Sequence, residues 1–116
     1  MSVWHVTGGR RLEGSVTVQG AKNAALPIMA ASVLAPCETE LLNVPLLKDV
    51  DTTVRILRGL GCAVSRDGDA MTIDSRGLSR AEIPHSLMRE LRSSVIFLGA
   101  LLARCGEARL SMPGCC

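Results

Sequence analysis

Three short segments of the sequence carry side chains that could bind or react with a small molecule. The first is Gly20-Ala21-Lys22-Asn23, which comes just before a predicted helix. A glycine lets the chain turn tightly, the first N–H groups of a helix lack partners within it, and a lysine adds positive charge. This combination suits a phosphate or a carboxylate. On pattern alone, however, an ordinary glycine turn followed by a solvated lysine is the commoner structure.

The second segment is Pro113-Gly114-Cys115-Cys116, which follows a predicted strand. A cysteine on a flexible, glycine-containing loop can be exposed and reactive, unlike a cysteine packed in a core. The segment therefore suits catalysis by a thiol. The alternative is an ordinary surface loop with two thiols that are open to oxidation.

Arg92 is the third candidate, because it stands in an increasingly apolar helix beside Ser93 and Ser94. A guanidinium in such surroundings needs an acceptor. That acceptor could be an anionic ligand. It could also be Glu90 or another nearby acid, and without further observations a structural ion pair is the better interpretation.

The cysteines do not form a metal or redox pattern. There are five, at positions 37, 62, 105, 115 and 116, with no pair in the spacing of a metal or thioredoxin motif and no histidine spaced to help them. We expect Cys37, Cys62 and Cys105 to be small core or turn residues. No metal or other cofactor is predicted.

Composition excludes several other classes of protein. The 116 residues suffice for one small domain, and 47% of them are apolar. The net charge of +2 comes from dispersed residues, so nucleic acid is not an expected partner. The longest apolar stretches, 24–35 and 95–103, are shorter than the roughly 20 residues that span a bilayer. With an odd cysteine count and no signal-peptide pattern, these features favour a cytoplasmic protein that does not enter the membrane.

Hydrophobic periodicity and turn residues predict an alternation of strands and helices. We expect strands at 2–7, 15–19, 39–44 and 108–112, and a hairpin of 62–66 and 70–74 around Asp67-Gly68. The predicted helices are 23–35, with almost no polar face, a second helix with the apolar stripe Val50, Val54, Leu57 and Leu60, and a long one from after Pro84 to about Arg104. Asp49 or Asp51 would cap the second helix and Gly61 would end it.

The chain also contains a candidate internal repeat. A shift of 68 positions matches Ile28 with Ile96, Cys37 with Cys105 and Pro45 with Pro113. The repeated unit would be β-α-β-β-α, with the second copy cut off. The four or five predicted strands are too few to bury the surfaces of two apolar helices. We therefore expect the chain to be part of a longer protein.

Taken together, these segments resemble the UDP-N-acetylglucosamine 1-carboxyvinyltransferase family along the whole chain. The matching stretches are 12–14, Gly20-Ala21-Lys22-Asn23-Ala24-Ala25-Leu26-Pro27, 43–45, 48–52, 57–61, 88–102, 106–108 and 113–116. The sister family, which makes 5-enolpyruvylshikimate 3-phosphate, typically has Gly-Ser-Lys-Ser in the second stretch. Ala21 and Asn23 therefore favour the first family.

The resemblance implies an α/β fold, the inside-out α/β barrel of the enolpyruvyl transferases. It is built of β-α-β-α-β-β repeats with helices packed inside the sheets. This chain would hold only the first one and a half units. Residues 1–20 would be strands that pair with a missing C-terminal-half domain, and 21–116 would be the first part of the N-terminal domain, ending at the catalytic loop.

The resemblance also implies roles for four residues. Lys22 and Asn23 would bind phosphoenolpyruvate, Arg92 would bind UDP-N-acetylglucosamine, and Cys116 would be the catalytic general acid that can hold a pyruvyl adduct. The implied reaction commits the sugar nucleotide to peptidoglycan, and fosfomycin alkylates this cysteine in sensitive members. The family loop usually reads Pro-Gly-Gly-Cys, so Cys115 replaces its second glycine.

Three alternatives remain beside this interpretation. They are the shikimate-pathway enzyme, a non-catalytic or vestigial paralogue that only binds a ligand or partner, and a thiol redox or metal module based on Cys115-Cys116. Adjacent cysteines chelate poorly as a pair, which counts against the last. The 116-residue chain by itself is expected to be inactive, and its oligomeric state is not predicted.

Overall fold

The computed structural model describes residues 2–110, apart from the side chains of Arg92 and Ser93. Within that range the helices are α1 (Lys22–Ala31), α2 (Lys48–Leu60), α3 (His85–Glu90) and α4 (Phe97–Cys105), with a 3-10 helix at Arg92–Ile96. The strands are β1 (Glu38–Leu41), β2 (Ala63–Asp67), β3 (Ala70–Asp74), β4 (Glu82–Ile83) and β5 (Arg109–Leu110).

The larger sheet has β3 at its centre, between β1 and β2, and both pairings are antiparallel. Successive strand residues point to opposite faces, so Met71 and Ile73 share one face, and both are fully buried. The hairpin of β2 and β3 was predicted from its alternation and is confirmed, with Gly68 at φ 63° in its turn. β4 and β5 form a separate parallel pair.

Helix α2 is amphipathic as its spacing predicts. Val50, Leu57 and Leu60 are buried, and Gly61 ends the helix in the left-handed region at φ 108°. The predicted side-chain cap is wrong, because Leu47 occupies the N-cap position and makes no such hydrogen bond. Asp49 and Asp51 lie instead in the first turn, where their charges interact favourably with the helix dipole.

Helix α1 ends at Ala31, four residues before the predicted end at 35. The Ser32 hydroxyl donates to the Met29 carbonyl oxygen at 2.5 Å, and the Ser32 N–H bonds the same oxygen at 3.2 Å. Serine side chains compete with helical hydrogen bonds in this way. The chain therefore leaves the helix in a turn, although its apolar composition would allow another turn of helix.

The predicted long helix after Pro84 is wrong, because α3, the 3-10 helix and α4 replace it. Leu91 is extended, at φ −134° and ψ 102°, and separates α3 from the 3-10 helix. The buried Ser94 hydroxyl donates to the Leu91 carbonyl oxygen at 2.6 Å, which stabilises the break. The uniformly apolar sequence that follows gave no sign of this interruption.

The strands predicted at 2–7 and 15–19 are absent, and residues 2–19 are exposed. A strand requires hydrogen bonds to a neighbouring strand, and none of the described strands lies beside these residues. That residues 1–20 pair with a domain outside this chain remains a prediction. The strand predicted at 39–44 ends at Leu41, before Asn43 adopts a positive φ of 58°.

The proposed repeat is only partly reflected in the structure. A helix followed by a strand occurs twice, as α1 with β1 and α4 with β5, but β1 pairs antiparallel and β5 pairs parallel. The predicted strand 108–112 is seen as β5, and its last two residues lie outside the described range together with the segment 113–116.

The core is aliphatic, as the composition predicts, with Phe97 as its one aromatic side chain among the described residues. It is built by α1, α2, α4 and one face of the larger sheet. Its fully buried members include Met29, Val33, Val50, Ile56, Leu57, Met71, Ile73 and Leu101. Over residues 2–110, every helix falls short of the length and apolarity that crossing a membrane requires.

Candidate functional site

The N-terminal ends of α1 and α2 meet on the surface of the molecule. Neither helix has a side-chain cap, so N–H groups of both first turns remain without a capping partner. The positive ends of the two helix dipoles therefore point to the same region. This is the arrangement in which helix ends bind anions.

Gly20 places the start of α1 against the segment that follows β1. A Cβ atom at this position would overlap the Asn43 carbonyl oxygen and would lie 3.2 Å from Cδ of Pro45. Only glycine permits this approach, which fixes the direction in which the chain enters α1. The glycine of the predicted anion-binding segment is therefore required by packing.

Lys22 is the first residue of α1, and its ammonium group forms an ion pair with Asp49 in the first turn of α2. Lys22 Nζ lies 3.0 Å from Asp49 Oδ2. The lysine side chain is 46% exposed and the aspartate 30% exposed, so solvent and ligands can reach the pair. The ion pair directly links the two helix ends.

Asn23 follows Lys22 in the first turn of α1 and is exposed. In a regular helix, the carbonyl oxygen of Asn23 would accept a hydrogen bond from the N–H group of residue 27. That residue is Pro27, which has no N–H group, so this helical hydrogen bond is not made. Pro27 lies inside the helix, where prolines are uncommon. Asn23 thus offers an exposed amide side chain in the first turn of α1.

Helix α2 also contacts the segment that carries Arg92. Arg55 forms an ion pair with Glu90 at the end of α3, and Thr52 Oγ1 donates to Glu90 Oε2 at 3.5 Å. Glu90 was a candidate partner for Arg92, and in this structure it pairs with Arg55. Arg92 begins the 3-10 helix two residues later, and its side chain lies outside the described residues.

The three cysteines within the described range have different environments. Cys62 is buried, and burial raises the pKa of its thiol, while Arg104 lowers it and Asp74 raises it to smaller extents. Cys37 lies in the bend directly before β1 and is exposed, and Cys105 is the exposed last residue of α4. The prediction of a core or turn position therefore holds for Cys62 and Cys37 but not for Cys105. Cys115 and Cys116 lie outside the described residues.

The structure brings Lys22, Asn23 and the start of α2 together. The Arg92 side chain and Cys116 lie outside the described residues. Sequence reasoning missed Asp49 as the partner of Lys22, because it treated this residue only as a possible helix cap. Helix periodicity could not reveal the pair, since its members lie on different helices.

Comparison with a solved structure defines the class of fold. The enolpyruvyl transferase NikO from Streptomyces tendae superimposes with a TM-score of 0.75 and 31% sequence identity, over 87% of this chain and 24% of that one. The fold is therefore the enolpyruvyl transferase fold, as predicted, and the chain represents only part of it.

Sequence comparison places the chain in a family. Residues 6–116 match EPSP synthase (3-phosphoshikimate 1-carboxyvinyltransferase), and the chain belongs to this family. Curated relatives called UDP-N-acetylglucosamine 1-carboxyvinyltransferase are similar at 47% identity in Geotalea uraniireducens, over 96% of the chain, and at 46% in Acinetobacter baylyi, over all of it. The one in Shewanella amazonensis is 49% identical over 96% of the chain. The chain spans 27 to 28% of the length of these relatives.

Proposed function

We propose that the protein to which this chain belongs transfers the enolpyruvyl group of phosphoenolpyruvate to the 3′-hydroxyl of UDP-N-acetylglucosamine and releases phosphate. The observation that carries the proposal is the name shared by relatives 46 to 49% identical over nearly the whole chain. Through this product the protein would serve peptidoglycan synthesis in a bacterial cytoplasm.

The geometry at the start of α1 supports this proposal. Phosphoenolpyruvate carries a phosphate and a carboxylate, and the Lys22 ammonium, with the N–H groups of two helix ends that have no side-chain cap, offers hydrogen-bond donors for them. Asn23 would donate or accept a hydrogen bond from its amide beside the same anion. Arg92 would bind the sugar nucleotide, whose diphosphate suits a guanidinium.

The proposed chemistry consists of an addition followed by an elimination. The 3′-oxygen of the sugar bonds to C2 of phosphoenolpyruvate and gives its proton to a general base outside this chain, while the Cys116 thiol protonates the methylene carbon, which gives a tetrahedral intermediate. The bond from C2 to the phosphate oxygen then breaks and phosphate leaves, the Cys116 thiolate takes a proton back from the methyl carbon, and the double bond re-forms. Cys116 acts in the first step as a general acid. It can also hold the enolpyruvyl group covalently.

The acceptor can be tested with the complete reading frame that contains this chain. Phosphate release from phosphoenolpyruvate should require UDP-N-acetylglucosamine, and shikimate 3-phosphate in its place should give none. If phosphate were released with shikimate 3-phosphate as the acceptor and not with UDP-N-acetylglucosamine, the protein would be the shikimate-pathway enzyme. Binding of the sugar nucleotide without turnover would favour a non-catalytic protein.

Shikimate 3-phosphate is tested as the second acceptor because the matching family is named for the enzyme that uses it. The Asn23 side chain and the relatives favour UDP-N-acetylglucosamine. The 116-residue chain alone, assayed in parallel, should release no phosphate with either acceptor.

A further inference from the structure

We propose that Asp49 is a positioning residue that holds the Lys22 ammonium at the joint N-terminal end of α1 and α2. This inference rests on the proposed function, because it assumes that Lys22 binds phosphoenolpyruvate. The observation behind it is the 3.0 Å contact between Lys22 Nζ and Asp49 Oδ2, which joins the first turns of two helices.

The lysine needs such a partner because its side chain is long and half exposed. A lysine side chain has four methylene groups and many rotamers, and it loses much of that freedom when it is held in one place. Lys22 is 46% exposed, and as the first residue of α1 it projects from the end of the helix. Without a fixed anion nearby, its ammonium would sample many positions around that end.

Asp49, by contrast, belongs to a rigid part of the molecule. Its neighbours Val50, Thr52 and Thr53 are fully buried. The Thr53 hydroxyl donates to the Asp49 backbone carbonyl oxygen at 2.8 Å. An aspartate side chain has only two rotatable bonds, so its carboxylate position is set closely by this backbone.

The pair leaves the lysine able to bind substrate. An ammonium group has three N–H donors, and one directed at Asp49 leaves two for the oxygens of an anionic ligand. Asp49 therefore orients the donors, while the helix ends supply the positive field for the ligand. A contribution to stability alone is a poor explanation, since partly exposed ion pairs add little to it.

The test is a set of three variants in the complete protein, assayed for phosphoenolpyruvate turnover. Asp49→Asn should lower kcat/KM for phosphoenolpyruvate by about tenfold or more, because displacing a substrate-binding group is costly in rate. Asp49→Glu, which keeps the charge, should recover part of the loss. Asp51→Asn is the matched control, since it removes a carboxylate from the same first turn, and Asp51 forms no ion pair among the described residues. The kcat/KM of Asp51→Asn for phosphoenolpyruvate should stay within about twofold of the wild-type value.

Two further readouts separate positioning from a structural role. The KM for UDP-N-acetylglucosamine should change less than about twofold in Asp49→Asn, and Tm should fall by no more than about 3 °C. The proposal is wrong if Asp49→Asn behaves like Asp51→Asn. It is also wrong if both KM values rise together as Tm falls, or if Asp49→Glu is as impaired as Asp49→Asn. An inactive wild type would instead overturn the proposed function.

Discussion

Lys22 owes its position to neighbours on other elements rather than to its own helix. Gly20 lets the chain approach the Asn43 carbonyl, which sets the start of α1, and Asp49 then holds the ammonium from α2. The lysine is part of a recognisable sequence segment, but the glycine and the aspartate act through contacts that the segment does not contain. At this scale the site depends on three chain regions.

The catalytic assignment of Cys116 can be tested in the complete protein. Cys116→Ala should lower turnover by a factor of about 100 or more, since it removes the proposed general acid. Steady-state phosphate release is the measurement. Cys116→Asp should retain part of the activity, because a carboxylic acid can also donate a proton.

Cys115→Ala is the control for this prediction, because it removes the adjacent thiol and leaves the proposed acid. It should keep most of the activity. If Cys116→Ala were fully active, the thiol roles proposed for the loop would be wrong. If Cys115→Ala were the inactive variant, the catalytic thiol would be Cys115.

At the scale of elements, α2 organises the molecule. Its first turn holds Lys22 of α1, its middle holds Glu90 of α3 through Arg55, and its buried face contacts the larger sheet. Its far end is closed by Gly61, where the chain returns and Ser79 N–H donates to the Leu60 carbonyl oxygen at 2.9 Å. A single amphipathic helix thus connects both segments that carry candidate site residues.

A second connection joins the segment after α1, the residue that follows β3, and α4. The fully buried Ser75 hydroxyl donates to the Ala35 carbonyl oxygen at 2.7 Å. Arg104 of α4 donates to the Val33 carbonyl at 3.1 Å and to the Ser75 carbonyl at 3.0 Å. These bonds satisfy carbonyl groups in the irregular segment after α1 and at the end of β3.

We therefore expect Ser75→Ala to lower the free energy of unfolding by about 1 kcal/mol, because it removes a buried hydroxyl together with its hydrogen bonds to the Ala35 carbonyl oxygen and the Cys37 N–H. Urea unfolding followed by circular dichroism measures the change. Ser65→Ala is the control, since this serine is exposed on β2, and it should cost no more than about 0.5 kcal/mol. Equal effects of the two variants would contradict the importance of the buried bond.

At the scale of the whole molecule, the chain is extended and incompletely covered. Its radius of gyration is 17.4 Å. A compact protein of this length would have about 13 Å. An apolar groove of about 310 Å³ lies between α1 and α4, lined by residues such as Pro27, Leu34, Ile96 and Gly99. Exposed apolar surface of this kind marks an interaction site or favours aggregation.

The 116-residue chain by itself should therefore bind a hydrophobic dye and self-associate at micromolar concentration. Dye fluorescence and sedimentation velocity measure the two effects. Leu34→Glu, in the groove and 50% exposed, should reduce both. Leu12→Glu is the control outside the groove and should change little. A monomeric chain without dye binding would contradict the prediction.

Much of the fold and part of the site could be predicted from the sequence, where the information was local. The stripe of α2, its end at Gly61 and the hairpin at Gly68 follow from periodicity and backbone preference within a few residues. The segment from Gly20 to Pro27 indicated both a helix start and the family, and the fold and family are confirmed.

Only the tertiary structure decided the rest, because it depends on partners that are distant in sequence. Serine hydroxyls at 32 and 94 stop or interrupt helices that look continuous from their apolar composition. The strands predicted at 2–7 and 15–19 did not form, since a strand needs hydrogen bonds that a short segment cannot supply to itself. The Lys22–Asp49 pair likewise became visible only when two helix ends met. Sequence periodicity specifies which face of an element is buried, whereas the contacts between elements are settled by how those faces pack.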